Sequence, residues 1–210
     1  MRPKPKPSSS GFKASLVLAI AALTVSPAAQ TQAARSLYFV AIGEVRPGLV
    51  EHLVSYFDRA FDLKIEVLPA LSLDSLAVDE RRGQAVADEL IVTVRRQYAT
   101  LTRNPNARVI GITPRDMYNL SMQNQWIFAF SLRGKDQRFA VVSYARMDPV
   151  ALGATPNEEL LRSRLRKMVM KNIGVLYYDL PLSNDPRSAM YRNILGVDDL
   201  DRMTENFVVK

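Results

Sequence analysis

The sequence contains no cysteine and a single histidine, His52. The first absence excludes disulfides, thiolate nucleophiles and cysteine-ligated metals, and the second excludes any site built on two imidazoles. A G-x-S-x-G nucleophile elbow is missing as well, so a serine nucleophile would have only His52 as a base. Negative charge is absent from the start of the chain, where Arg2, Lys4, Lys6 and Lys13 precede the first acid, Glu44. What is present is an ordinary globular composition, 48% hydrophobic and 23% charged over 210 residues, enough to bury a core.

Residues 2–13 are basic and rich in Pro and Ser, and residues 14–25 form an unbroken apolar and small-residue run, the n-region and h-region of a secretory signal. The run is twelve residues long, short of the roughly twenty that span a bilayer. Ser26, Ala28, Ala29, Ala33 and Ala34 then offer small-x-small cleavage positions, after Ala28 or after Ala33. Residues 1–34 are therefore expected to be a signal peptide, with a secreted or periplasmic product, no stable membrane span after cleavage, and one domain over residues 35–210. Removing residues 1–34 deletes four positive charges and no negative one, taking +7 to +3, so the basicity gives little reason to expect a nucleic-acid partner.

Residues 36–43 (SLYFVAIG) read as a buried strand, and residues 47–61 as a helix with Leu49, Val50, Leu53, Phe57 and Ala60 on one face. Residues 64–68 alternate as a second strand. The longest helical pattern covers 79–100, with Val86, Leu90, Val94 and Tyr98 four apart. Residues 108–112 form a short strand, and Thr113, Pro114 and Asp116 have the form of a helix start. Residues 125–132 and 138–145 read as two strands of a hairpin joined by 133–137, and 158–177 as a helix with Leu161, Leu165, Met168 and Ile173 inward. A loop at 179–191 and a helical turn at 198–203 complete an irregular tail. The order implies a mixed α/β chain with a twisted sheet of about five strands packed with two long helices and a further long helix near the C-terminus.

That order and several local strings resemble the archaemetzincin branch of the metzincin zinc peptidases, over residues 37 to 203. Ile110, Gly111, Ile112 and Thr113 with Asp116 and Tyr118 resemble the family's strand and its Asp and Tyr turn. Trp126, Ile127, Phe128, Ala129 and Phe130 resemble the next strand, and Val141, Val142 and Ser143 with Arg146 and Met147 the one after. Arg95, Arg96, Gln97 and Tyr98 sit where the family carries an Arg and Gln-Tyr on its long helix. The resemblance implies an α+β zincin-like fold. The family motif, H-E-x-x-H-x-x-G-x-x-H, places two imidazoles one helical turn apart on one zinc, with the Glu activating water. The resemblance puts Lys171 at the first His, Asn172 at the Glu, Val175 at the second His, Tyr178 at the Gly and Pro181 at the third His, with Met190 close to the Met-turn. None of the five functional identities is kept. Lys171 is an ammonium where a neutral imidazole is required, and Val175 offers no lone pair, so neither metal nor other cofactor is expected.

The remaining candidates have structural readings. His52 lies beside the apolar face of its helix, as a solvated or hydrogen-bonded histidine. Asp198, Asp199 and Asp201 lack a calcium loop and its glycine, which leaves helix capping, with Asp198 as N-cap and Asp201 in the first turn. Asp116 reads as a helix-start acid. Arg162, Arg164, Arg166, Lys167 and Lys171 read as a solvated basic face. The expected function is that of a secreted, non-catalytic metzincin-like domain binding a peptide or protein partner. Its groove would be an open strand edge at 126–131, with Trp126, Phe128 and Phe130 above Lys171 and Asn172. Two alternatives stay open: a secreted peptidase or other hydrolase with a replaced active site, and a structural envelope protein.

Overall fold

The computed structural model describes Met1 and residues 35–73, 77–122 and 127–207. The chain divides into two units, Met1–Gln32 and Ala33–Lys210, and every element below belongs to the second. Met1 apart, the expected signal peptide lies outside the described residues, as does Trp126.

Alternation in β1 (Ser36–Ile42) sends Leu37 and Phe39 to one side of a sheet and Val40 and Ile42 to the other. β1 pairs in parallel with β2 (Ile65–Leu71) and with β5 (Ala107–Thr113). β5 pairs in parallel with β8 (Phe139–Ser143), which takes the short β7 (Ser131–Arg133) antiparallel along its outer side. The order is β2-β1-β5-β8-β7, the five-stranded mixed sheet that the sequence predicts. Every residue of β5 is buried, as expected for a central parallel strand covered on both faces. Gly111 allows that closeness, since a Cβ there would fall 2.6 Å from Ile42 Cδ1 and 3.2 Å from Val141 Cγ1.

One face packs against α1 (Leu49–Phe61), α4 (Glu158–Leu176) and α5 (Val197–Arg202), which share a core with Phe39, Ile110, Ile112, Ala140 and Val142. The other face packs against Leu90, Ile91 and Val94 of α2 (Ala87–Gln97). Asn157 caps α4, its side chain accepting from Leu160 N at 3.0 Å. Among the described residues no helix is long and apolar enough to cross a membrane.

Three expectations are corrected. The pattern at 79–100 is not one helix. Asp79 Oδ1 accepts from Arg81 N and Arg82 N, and Gly83 turns with φ 64°, so β3 (Val78–Asp79) and β4 (Gln84–Val86) form a hairpin ahead of α2. The helical run then breaks at Tyr98 before α3 (Ala99–Arg103). No helix starts at Thr113 either, because Asp116 O accepts from Ala85 N at 2.8 Å and draws the chain into β6 (Met117–Tyr118). β3, β4 and β6 make a second, three-stranded sheet that the sequence did not suggest. Finally, the strand expected at 125–132 is confined to Ser131–Arg133, and residues 127–130 have no strand structure. Ala129 N donates to Met117 O at 2.7 Å, tying that segment to the small sheet.

Candidate functional site

The site that the motif positions define lies on α4. From Arg164 to Gly174 all its residues are buried, cations included: Arg164 is 6% exposed, Arg166 8%, Lys167 8% and Lys171 6%. The solvated basic face is therefore corrected; the tail after Asp179 folds back over it. Arg164 forms a two-point pair with Asp201 (2.8 and 2.7 Å) and donates to Met147 O. Arg166 donates to Glu205 and Glu159, and Lys167 to Asp201 O at 3.2 Å. These acids compensate the charges that the helix buries.

Lys171 differs. Its Nζ reaches one backbone acceptor, Arg192 O, at 3.3 Å, and among the described residues no carboxylate lies within ion-pair reach. Asn172 beside it is fully buried, its Nδ2 donating to Met168 O at 2.8 Å and its Oδ1 accepting from Arg133 Nη1 at 3.3 Å. Burial, with the nearby Arg133 guanidinium adding to it, pushes the Lys171 ammonium down to about 8. Burial also lowers Arg133. This donor set does not suit zinc: an ammonium and an amide stand where the resemblance places the motif's first His and Glu, a second cation, Arg133, is bonded to the amide, Val175 follows at the second His, and the sole His of the chain sits elsewhere. Among the described residues no cluster of three or more metal-ligating side chains occurs.

The other motif positions lie around the end of α4. Val175 is half-buried against the core, and Tyr178 and Pro181 are exposed. Tyr178 stacks edge-on against Phe207 at 5.4 Å. Met190 is buried over Gly174, where a Cβ would overlap its Sδ and lie 3.0 Å from Phe207 Cε1. The degenerate positions thus fall into a polar group at Lys171 and Asn172 and an apolar one at Val175 and Tyr178. Of the residues expected to line a peptide groove, Phe130 is buried in the core. Phe128 is half-buried, edge-on to Phe130 at 5.0 Å and beneath the Arg146 guanidinium at 4.4 Å.

Several single candidates have structural partners. His52 Nε2 lies 3.1 Å from Arg166 Nη1, so an unprotonated nitrogen accepts there; burial first, then Arg162 and Arg166, depress its titration. Asp116 is not a helix-start acid: it pairs with Arg146 through both oxygens and accepts from Gln84. In the tail helix Asp199, rather than Asp198, reaches back to the backbone, accepting from Leu195 N and Gly196 N, while Asp201 pairs with Arg164.

Sequence reasoning missed Arg133, assigning it to the hairpin connection. Strand parity carried the signal: Arg133 pairs with Ala140, which faces α4, while its neighbour Leu132 pairs with Val141 on the α2 side.

No protein-family profile matches the chain. It is similar to the archaemetzincin of Pyrococcus abyssi, 26% identical over 162 residues, covering 74% of this chain and 81% of that protein. The archaemetzincin of Thermococcus kodakarensis is 25% identical over 157 residues, covering 68% and 76%. Among solved structures, the archaemetzincin of Methanopyrus kandleri superposes with a TM-score of 0.66 at 23% identity, covering 86% of this chain and 92% of the other. A zinc-dependent peptidase of Methanocorpusculum labreanum gives 0.69 at 19% identity, covering 82% and 95%. In sequence and in fold together, this chain is similar to the archaemetzincins.

Proposed function

We propose that the chain is an exported, non-catalytic archaemetzincin-like module that binds a peptide or protein partner at its degenerate motif. One observation carries this reading. Where the resemblance places the first metal ligand and the catalytic base, the structure has the Lys171 ammonium and the Asn172 amide, with the Arg133 guanidinium bonded to the latter. At pH 7 the Lys171 ammonium has no lone pair for zinc, the Asn172 amide is no general base, and adding a dication beside two cations is electrostatically unfavourable. A non-catalytic binding role keeps the scaffold and needs none of these functions.

Protein expressed without residues 1–34 should contain no stoichiometric zinc and should not cleave casein. Elemental analysis finding about one zinc per chain, removed by a chelator together with proteolysis, would overturn the non-catalytic reading. Export rests on the basic and apolar pattern of residues 2–34. Cell fractionation should recover the protein outside the cytosol with its amino terminus at Ala29 or Ala34; intact Met1 on a cytosolic product would count against it.

A further inference from the structure

Each buried cation of α4 except one is close to acid. Arg164 has Asp201, Arg166 has Glu159 and Glu205, and Lys167 lies in the field of Glu205 and Asp201. Lys171 has none among the described residues, and its charged neighbour is a second cation, Arg133. Arg133 is likewise without a carboxylate there, and its one side-chain bond goes to the Asn172 amide oxygen. Two like charges held in a low-dielectric setting raise each other's cost, and among the described residues no acid compensates either of them. The one acid of the same hairpin does not relieve it: Asp136, three residues on, is occupied by Arg95 and Arg138.

We propose that Lys171 and Arg133 together bind a carboxylate supplied by the partner. The inference rests on the proposed binding role and specifies its chemistry. A carboxylate offers two acceptor oxygens, which a planar guanidinium and an ammonium can share through charge-assisted hydrogen bonds. Arg133 is half-buried at the end of the outermost strand, β7, and gives the approach from solvent, while Lys171 lies deeper against the tail. The mode of recognition differs from strand addition. β7 has only three residues and carries an inward-facing charge, both of which blunt an edge, so an anchor group rather than a run of main-chain bonds would hold the partner. The carboxylate could belong to a peptide, at its terminus or on a side chain, or to a small free acid.

The test uses residues 35–210 with uniform carbon-13 and nitrogen-15 labelling. Acetate titrated in should raise the titration midpoint of Lys171, read from its Cε shift, in a saturable way, because a bound anion favours the ammonium. Affinity should fall as pH rises through the free midpoint near 8, where Lys171 loses its charge beside Arg133, the charged group that acts on it. Lys171→Met and Arg133→Gln should each weaken acetate by about thirtyfold or more, the effect of truncating one side of a desolvated charge contact. A short peptide with a free C-terminus that binds more tightly than acetate, and loses this on amidation, identifies a peptide source. Acetate binding at least as tightly as the free-terminus peptide, with the amidated peptide not binding, supports the site with a small free acid as its ligand. A Lys171 midpoint unmoved at saturating acetate, or unchanged affinity in both folded variants, overturns the carboxylate site. Zinc measured on the same sample separates the two levels: zinc-free protein without an acetate response defeats this inference alone, whereas stoichiometric zinc defeats the reading beneath it.

Discussion

Lys171→Met should be more stable than the parent protein by about 1–3 kcal/mol at pH 7, against the general rule that substitutions in a core destabilise. The reason is the cost of an ammonium that is 6% exposed with no acid beside it among the described residues. Its displacement from 10.5 to about 8, by burial first and by Arg133 second, corresponds to a penalty on the order of 3 kcal/mol for the charged form. Methionine keeps the length and apolar stem of lysine and removes the charge, at the loss of one long hydrogen bond to Arg192 O. The pH dependence follows from the same shift. Below about 8 the lysine is protonated in both folded and unfolded chains, so the full penalty is present; between about 8 and 10.5 the unfolded chain holds the proton more tightly, and parent stability rises with pH. The advantage of the variant should therefore shrink across that window. Urea unfolding at several pH values measures it, and a variant less stable than the parent at pH 7, or a constant difference up to pH 10.5, would contradict the assignment of Lys171 as an unpaired buried cation.

Phe57→Ala should cost about 3–5 kcal/mol, the range for deleting a fully buried aromatic side chain. Phe57 has no exposed surface and meets Phe39 of the sheet edge-on at 6.3 Å, Tyr56 at 5.2 Å and Phe61 at 6.0 Å. Through Phe61 the cluster continues to Phe207 and Tyr178, so one ring contributes both to docking α1 on the sheet and to holding the tail over the end of α4. The surroundings are ring systems fixed by neighbours on two sides and can collapse only partly into the gap. Chemical denaturation gives the value, and a loss below about 1 kcal/mol would show that the cluster closes around the cavity.

The main sheet was legible because its signals are local. Residues 36–43 and 158–177 carry long, unambiguous periods, and the structure places β1 at Ser36–Ile42 and α4 at Glu158–Leu176. The small sheet was not, since β3 and β6 have two residues each and β4 three, too short for any period, and the pairing of β4 with β6 joins residues some thirty positions apart. The helical spacing of Leu90 and Val94 was real, yet it extended falsely back to Asp79 because Gly83 stops a helix only by the conformation it adopts. Where the resemblance places the motif, residue identities can be read directly, and they include no His or Glu at the ligand and base positions. The burial of Arg164, Arg166, Lys167 and Lys171 could not be read, because basic residues at helical spacing look alike whether water or a returning tail covers them. Asp201 and Glu205, which compensate two of them, lie some forty residues downstream.

The pairing of β5 has a consequence for the order in which the chain can fold. Its two neighbours lie on opposite sides of it in sequence, β1 ending at Ile42 and β8 beginning at Phe139. As the chain is synthesised, β1 and β2 have no central strand to close on until Thr113 is made, and α4, which covers one face of the sheet, comes later still. Parallel pairings of this separation require loop closure before they are rewarded, which slows folding. A nascent chain therefore passes through a long interval in which the strands of its N-terminal half are made and unpaired with their central partner, the interval in which a chaperone would find it open.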